Sequence, residues 1–300
     1  MAEKKATSAR GNSVKGGATK GAGKSSTPAK SPNVGKPPAT KNTGKAPVES
    51  KVPAAPKSAA KIPAAPKSAA KIPTPPKSST SLQANITVGC AGFPVPATRY
   101  FKEFNFVEVQ DTHVSLPGMG TLRRWRREAP PGFRFTLVAP RESGLDGFKN
   151  GKPAEVSLQG LADIGKELDS DTVVILAPPD FAASRSNRTI AKDFLQFAKK
   201  RFKTVIWEAP HWPVKESEEI AEEAGAIAAR DPLTTGTSTL AIAYYRMPGP
   251  AGHKSRYEDH AIDRLAELVR KATNKEATYV FTNVDMFADA KRLKKLLKLP

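Results

Sequence analysis

From Asn85 onward, short apolar runs alternate with stretches whose apolar residues recur every three or four positions. The short runs predict strands at 86–93 (ITVGCAGF), 106–111 (FVEVQD), 133–140 (FRFTLVAP), 172–179 (TVVILAPP), 204–210 (TVIWEAP), 226–232 (AIAARDP), 240–249 (LAIAYYRMPG) and 277–285 (ATYVFTNVD). The periodic stretches predict helices within 121–129, 158–168, 190–202, 217–225, 260–272 and 286–298. Apolar strands separated by amphipathic helices are the pattern of parallel βαβ units. Eight of them in about 215 residues predict an α/β fold, a single (β/α)8 TIM-type barrel, since that fold starts near 200 residues. A doubly wound open sheet is the competing arrangement. No Gly-x-Gly-x-x-Gly follows the first strand, so a dinucleotide fold gains no support.

Residues 1–84 break this pattern. They contain no Phe, Trp or Tyr, the first aromatic of the chain being Phe93. They hold 15 Lys and one Arg against Glu3 and Glu49, a net +14 of the chain's +19, which leaves +5 for residues 85–300. A segment so charged and so poor in aromatics buries too little apolar surface to offset its conformational entropy. A long, disordered, basic N-terminal arm is therefore expected ahead of a barrel domain at 85–300. Residues 51–80 repeat every ten positions (KVPAAPKSAA, KIPAAPKSAA, KIPTPPKSST), with prolines that block helix and favour polyproline II. The start, MAEKKATSAR, has no apolar stretch behind its charges, so no secretory signal is expected. No run reaches the roughly 18 apolar residues that span a bilayer, so no membrane partner is expected. The single cysteine, Cys90, excludes an internal disulfide framework and fits a reducing cytoplasm.

Several motifs then narrow the fold further. VGCAGFP, YFKEFNFVEVQDT, TLRRWRREAPPGFRFTL, YYRMPG and VFTNVDMFADAKRLKKLL resemble, in order and spacing, the YecE-like barrels of the domain-of-unknown-function 72 family over residues 86–298. The resemblance implies a TIM-type barrel; a nucleic-acid or sugar-phosphate ligand follows only by analogy of fold. It also exposes departures. Gln110 fits the family's second-strand pattern, but His113 and Val114 stand where Phe-Tyr is usual. Val138, Ser143 and Gly144 replace a Lys and a Thr-His pair, and Leu176 replaces a Gln. Pro210 replaces an Arg and Pro248 a His, while Phe281 and Asn283 remain of a Phe-Asn-Asn motif around Thr282. The resemblance thus implies a pocket stripped of several polar groups, a catalytically eroded barrel.

In a (β/α)8 barrel, chemistry sits at the C-terminal ends of the strands. The polar residues expected there are Glu108 and Gln110, Glu208, Arg230 and Asp231, Tyr244 and Arg246, and Asn283 with Asp285. Period-two alternation puts Glu108 with Gln110, and Tyr244 with Arg246, on shared faces. Glu108, Glu208, Arg246 and Asn283 are the candidate catalytic residues: two carboxylates can divide into acid and base where their surroundings differ. An Arg between them instead makes a structural network, and that is the reading favoured here. His113, Glu208, His211 and Asp231 have donor atoms that suit zinc or manganese. No compact His-x-x-x-His spacing supports them, so no cofactor is predicted and a divalent metal is the minor alternative. Gly249, Gly252, His253, Lys254 and Arg256 follow the seventh strand, where such barrels often bind phosphate. Gly249, Gly252, Lys254 and Arg256 of that loop, with Gln110, His211, Asp231 and Tyr244, make up the expected ligand-binding set. Asp285 reads as a helix N-cap and Cys90 as a small buried residue.

Sixteen cations without aromatics predict phosphate binding by counterion release, independent of base sequence and steeply salt-dependent. That partner is nucleic acid, in the cytoplasm or on a nucleoid. The Pro-x-x-Pro spacing of the repeats also fits a proline-motif-binding protein. Oligomeric state has no signature in the sequence. Two readings result: an eroded barrel tethered to nucleic acid by its arm, or a hydrolase or isomerase acting on a phosphorylated or nucleic-acid-derived ligand.

Overall fold

The computed structural model describes residues 85–300; the arm, its repeats and the disorder expected of it lie outside the described residues. Eight strands form where the apolar runs place them: β1 (Asn85–Ala91), β2 (Phe106–Val109), β3 (Arg134–Val138), β4 (Thr172–Leu176), β5 (Thr204–Glu208), β6 (Ile227–Arg230), β7 (Ile242–Met247) and β8 (Glu276–Phe281). All pair in parallel in chain order, and β8 closes onto β1 from Asn85↔Glu276 to Cys90↔Phe281. The result is a TIM-type (β/α)8 barrel.

The long helices match the periodic stretches: α3 (Met119–Glu128), α5 (Lys152–Leu168), α6 (Arg185–Lys199), α7 (Val214–Glu223), α9 (Asp259–Lys271) and α10 (Met286–Leu297). Four short ones have no periodic signal: α1 (Ala97–Tyr100), α2 (Asp111–Val114), α4 (Arg141–Leu145) and α8 (Pro232–Thr235). Four or five residues make barely one helical turn, too short for a 3.6-residue repeat to show. Most strands end sooner than their apolar runs, β4 and β6 for a plain local reason. Pro178 and Pro179 offer no N–H to extend β4, and Asp231 with Pro232 begins α8 directly after β6.

Alternation along the strands builds two apolar shells. Outward residues such as Val107, Leu137, Val173, Val205, Trp207 and Tyr245 pack under the helices. Inward residues fill the barrel itself, among them Phe106, Val138, Val174, Ile206, Tyr244 and Val280. Trp207 is fully buried beside Phe148 and Trp212, with ring centroids 5.4 and 5.8 Å away. Its neighbours in β5, Ile206 and Glu208, turn the other way. That alternation carries Glu208 to the mouth.

Candidate functional site

Glu108, Tyr244 and Arg246 lie inside the barrel, where β2 faces β7. Arg246 is 4% exposed and Glu108 is 0% exposed. The Arg246 guanidinium donates through Nη2 to Glu108 Oε1 at 2.8 Å and, more weakly, to Gln110 Oε1 at 3.5 Å; through Nη1 it pairs with Glu208 Oε2. The Tyr244 hydroxyl donates to the second Glu108 oxygen at 2.8 Å. Both oxygens of Glu108 are therefore occupied by donors. Burial works against the Arg246 charge, but the Glu108 and Glu208 carboxylates outweigh it and hold the side chain protonated above its ordinary range. Burial first, then the Glu108 charge, pushes the Tyr244 phenol well above its usual value, so it remains a donor. Two carboxylates against one guanidinium leave the Glu108–Arg246–Glu208 network at net −1. The arrangement is structural at its base, where both carboxylates are paired, and only Glu208 is partly open, its side chain 18% exposed.

Above this network the mouth opens into a cavity of about 660 Å³. Gln110, Glu208, His211 and Arg246 line it, and so do His113 and His253. Local structure fixes two of the three histidines. Thr112 in α2 stitches the end of β2 to β3: its hydroxyl lies 2.7 Å from Val138 O and accepts the Val138 N–H at 3.0 Å. The next residue, His113, thereby reaches Ala139 O with Nδ1 at 2.7 Å. His253 Nδ1 meets Thr282 O at 2.8 Å in the same way. A carbonyl only accepts, so each Nδ1 carries the proton and each Nε2 is the basic nitrogen in the neutral ring. The sequence offers His113 only as a metal ligand and His253 only as a member of a basic loop; neither setting is readable without the fold. Arg141 of α4 also lines the cavity, on an element too short to be anticipated.

Other expected residues go elsewhere. Asp231 caps α8, accepting from Leu233 N–H at 2.9 Å, and lines a smaller recess that adjoins the mouth. Burial, with help from the Glu208 charge, raises its carboxyl above the usual value. Arg230 pairs with Glu218 of α7. Asn283 is fully buried and holds structure together: its amide donates to Asp289 Oδ2 at 2.8 Å and to Ser255 O at 3.3 Å, away from the mouth. Asp285 occupies the N-cap position of α10 without capping it, because its carboxylate pairs with Arg256 at 2.9 Å.

The 249–256 loop departs from the anion cradle expected of it. Gly249 N–H donates to the Tyr257 hydroxyl at 2.8 Å, Ala251 N–H to Ser255 Oγ at 3.0 Å and Gly252 N–H to Gly249 O at 3.2 Å. These amides close the loop on itself and are spent. Gly249 is required by the turn: φ is +100°, and a Cβ there would lie 2.4 Å from Ser255 Oγ. Lys254 is exposed and lines neither the mouth nor the recess beside it. Among the described residues, no three His, Cys, Asp or Glu side chains gather closely enough to hold a metal ion. Cys90 is fully buried, and burial pushes its thiol up to about 12, so the thiolate is not formed near neutrality.

Fold and site together define a closed (β/α)8 barrel with a polar pocket at the C-terminal ends of its strands. The chain belongs to the family described as "Protein of unknown function DUF72", which matches residues 97–300. A DUF72 family protein from Enterococcus faecalis V583 superposes with a TM-score of 0.59 at 16% identity, over 72% of this chain and 96% of that one. A second, from Thermotoga maritima MSB8, gives 0.58 at 20% identity over 71% and 99%. At such identities the likeness supports the fold alone. No curated protein matches the chain. Among the described residues, no helix is long and apolar enough to cross a membrane.

Proposed function

We propose that the mouth of this barrel binds a small polar ligand and moves protons on it, with His113 and His253 as the acid–base pair, while the basic arm keeps the barrel near nucleic acid. The observation that carries the first part is the convergence of His113, His211, His253 and Glu208 on one cavity of about 660 Å³, with two of the rings held in a single tautomer. A positioned imidazole with a free basic nitrogen is the commonest proton-transfer group at neutral pH. Glu108 is better assigned to support, since both its oxygens are bound. Hydrolysis and isomerisation are reaction classes that use an acid and a base without electron transfer. The nucleic-acid part rests on the +14 charge of residues 1–84.

A second reading, ligand binding without turnover, is favoured by Leu176 and Pro210, apolar walls of the cavity where the family pattern carries a Gln and an Arg. Screening the full chain by thermal shift against neutral sugars, sugar phosphates, nucleosides and nucleotides tests the mouth. A ligand at about a hundred times its Kd stabilises by about 2.7 kcal/mol, a rise of roughly 5–10 °C for a domain this size. His113→Gln and His253→Gln should reduce that shift, and abolish turnover where the ligand is a substrate. A ligand whose binding and conversion ignore both substitutions refutes the site.

A further inference from the structure

We infer that the recess beside the mouth is a built part of the ligand site and reads the hydroxyl groups of a neutral, sugar-like ligand. The inference rests on the mouth reading above and deepens it by naming the ligand class. The recess, about 120 Å³, lies between β5, β6, β7 and α7 and shares Glu208, Pro210 and Arg246 with the mouth. It has room for a few hydroxyl-sized groups, hence for one end of a ligand whose remainder lies in the mouth.

Among the described residues, three of the eight buried side-chain polar atoms without a hydrogen-bond partner belong to residues of this recess. Ser217 Oγ, Arg230 Nε and Arg246 Nε are buried without a hydrogen-bond partner, and all three residues line this one recess. Ser217 and Arg246 are 6% and 4% exposed. Buried polar groups in folded proteins are nearly always paired, so three orphans around one space point to an occupant. The guanidinium N–H groups can only donate, which requires an occupant that accepts. The Asp231 and Glu208 carboxylates in the same wall accept, which requires an occupant that donates. A hydroxyl does both.

An anion fits less well. The charge of Arg230 is met by Glu218, and that of Arg246 by Glu108 and Glu208, so no positive charge is left uncompensated. Glu208, Glu218 and Asp231 against two guanidinium groups leave the walls at net −1. Among the other lining residues, the Trp212 indole with Ala228 and Ala229 suits the C–H faces of a sugar-like ring.

The test measures binding of neutral hexoses, pentoses and inositol, beside glucose 6-phosphate, citrate and inorganic phosphate, to the full chain by saturation-transfer NMR and calorimetry. Ser217→Ala removes an unpaired hydroxyl, so the fold should keep its melting temperature. A neutral probe is expected to bind and to weaken about three- to tenfold in Ser217→Ala, the effect of one hydrogen bond. If a neutral probe binds equally to both but weakens in His113→Gln, the recess holds water only, and the inference falls while the mouth reading stands. If only anionic probes bind, the ligand class is wrong. If none of the probes binds, both readings fall.

Discussion

Removing Arg246 would leave Glu108 and Glu208 facing an interior with no cation between them. Breaking a buried ion pair from one side costs about 3–5 kcal/mol, so Arg246→Met should lower the urea midpoint by that equivalent. Glu208→Gln should cost less, about 1–3 kcal/mol, because Glu208 touches solvent and Arg246 retains Glu108. Equal losses would show that Glu208 and Arg246 hold the network together to the same degree. Asp231 gives a pH signature. Its folded-state pKa is raised, chiefly by burial, so the folded chain prefers the neutral acid and the penalty appears as pH rises past the unfolded value near 4. Asparagine keeps the cap on α8 and carries no charge. Asp231→Asn should therefore melt higher than the parent at pH 7, with the difference vanishing below about pH 4. A gap that instead widens in acid would contradict the burial assignment.

At the scale of elements, the join between β1 and β2 depends on one side chain from a four-residue helix. Only Cys90↔Val107 and Ala91↔Glu108 register there. Beneath them the Tyr100 hydroxyl accepts from Cys90 N–H and donates to Phe106 O, both at 2.9 Å. Gly89 permits this spacing, since a Cβ there would lie 2.6 Å from Phe106 O. Tyr100→Phe keeps the ring and orphans two buried backbone groups. It should cost about 1–3 kcal/mol by chemical denaturation. A neutral result would mean that water replaces the hydroxyl. The same logic places the histidine of α2: Thr112 binds β3, and His113 follows it onto Ala139 O.

For the whole molecule, the charge divides by segment, +14 on residues 1–84 and +5 on the remainder. If six to ten phosphates are neutralised, affinity for double-stranded DNA should fall about 10³–10⁵-fold between 50 and 200 mM salt. The full chain should be retained on DNA at 50 mM salt, whereas a chain lacking residues 1–84 should not. Retention of the truncated chain would move the nucleic-acid surface onto the barrel.

Eight apolar runs and six amphipathic stretches are enough to specify the barrel, because strand burial and helix amphipathicity are local properties written in residue order. They also put Glu208 and Arg246 at the strand ends, since period-two alternation needs no tertiary knowledge. The partner that Pro210 leaves open for Glu208 is Arg246, 38 residues away. What the order of residues could not decide is which polar groups are consumed. In sequence the loop glycines read as an anion cradle, but the turn spends their amides internally. Asn283 reads as catalytic, but the fold turns it onto Asp289. His113 and His253 lie 140 positions apart and acquire fixed tautomers only from Ala139 O and Thr282 O. Hydrogen-bond satisfaction is decided in the folded chain: the loop amides and Asn283 are taken up by near neighbours, whereas the carbonyls that hold His113 and His253 come from other strand ends, which only tertiary structure brings together.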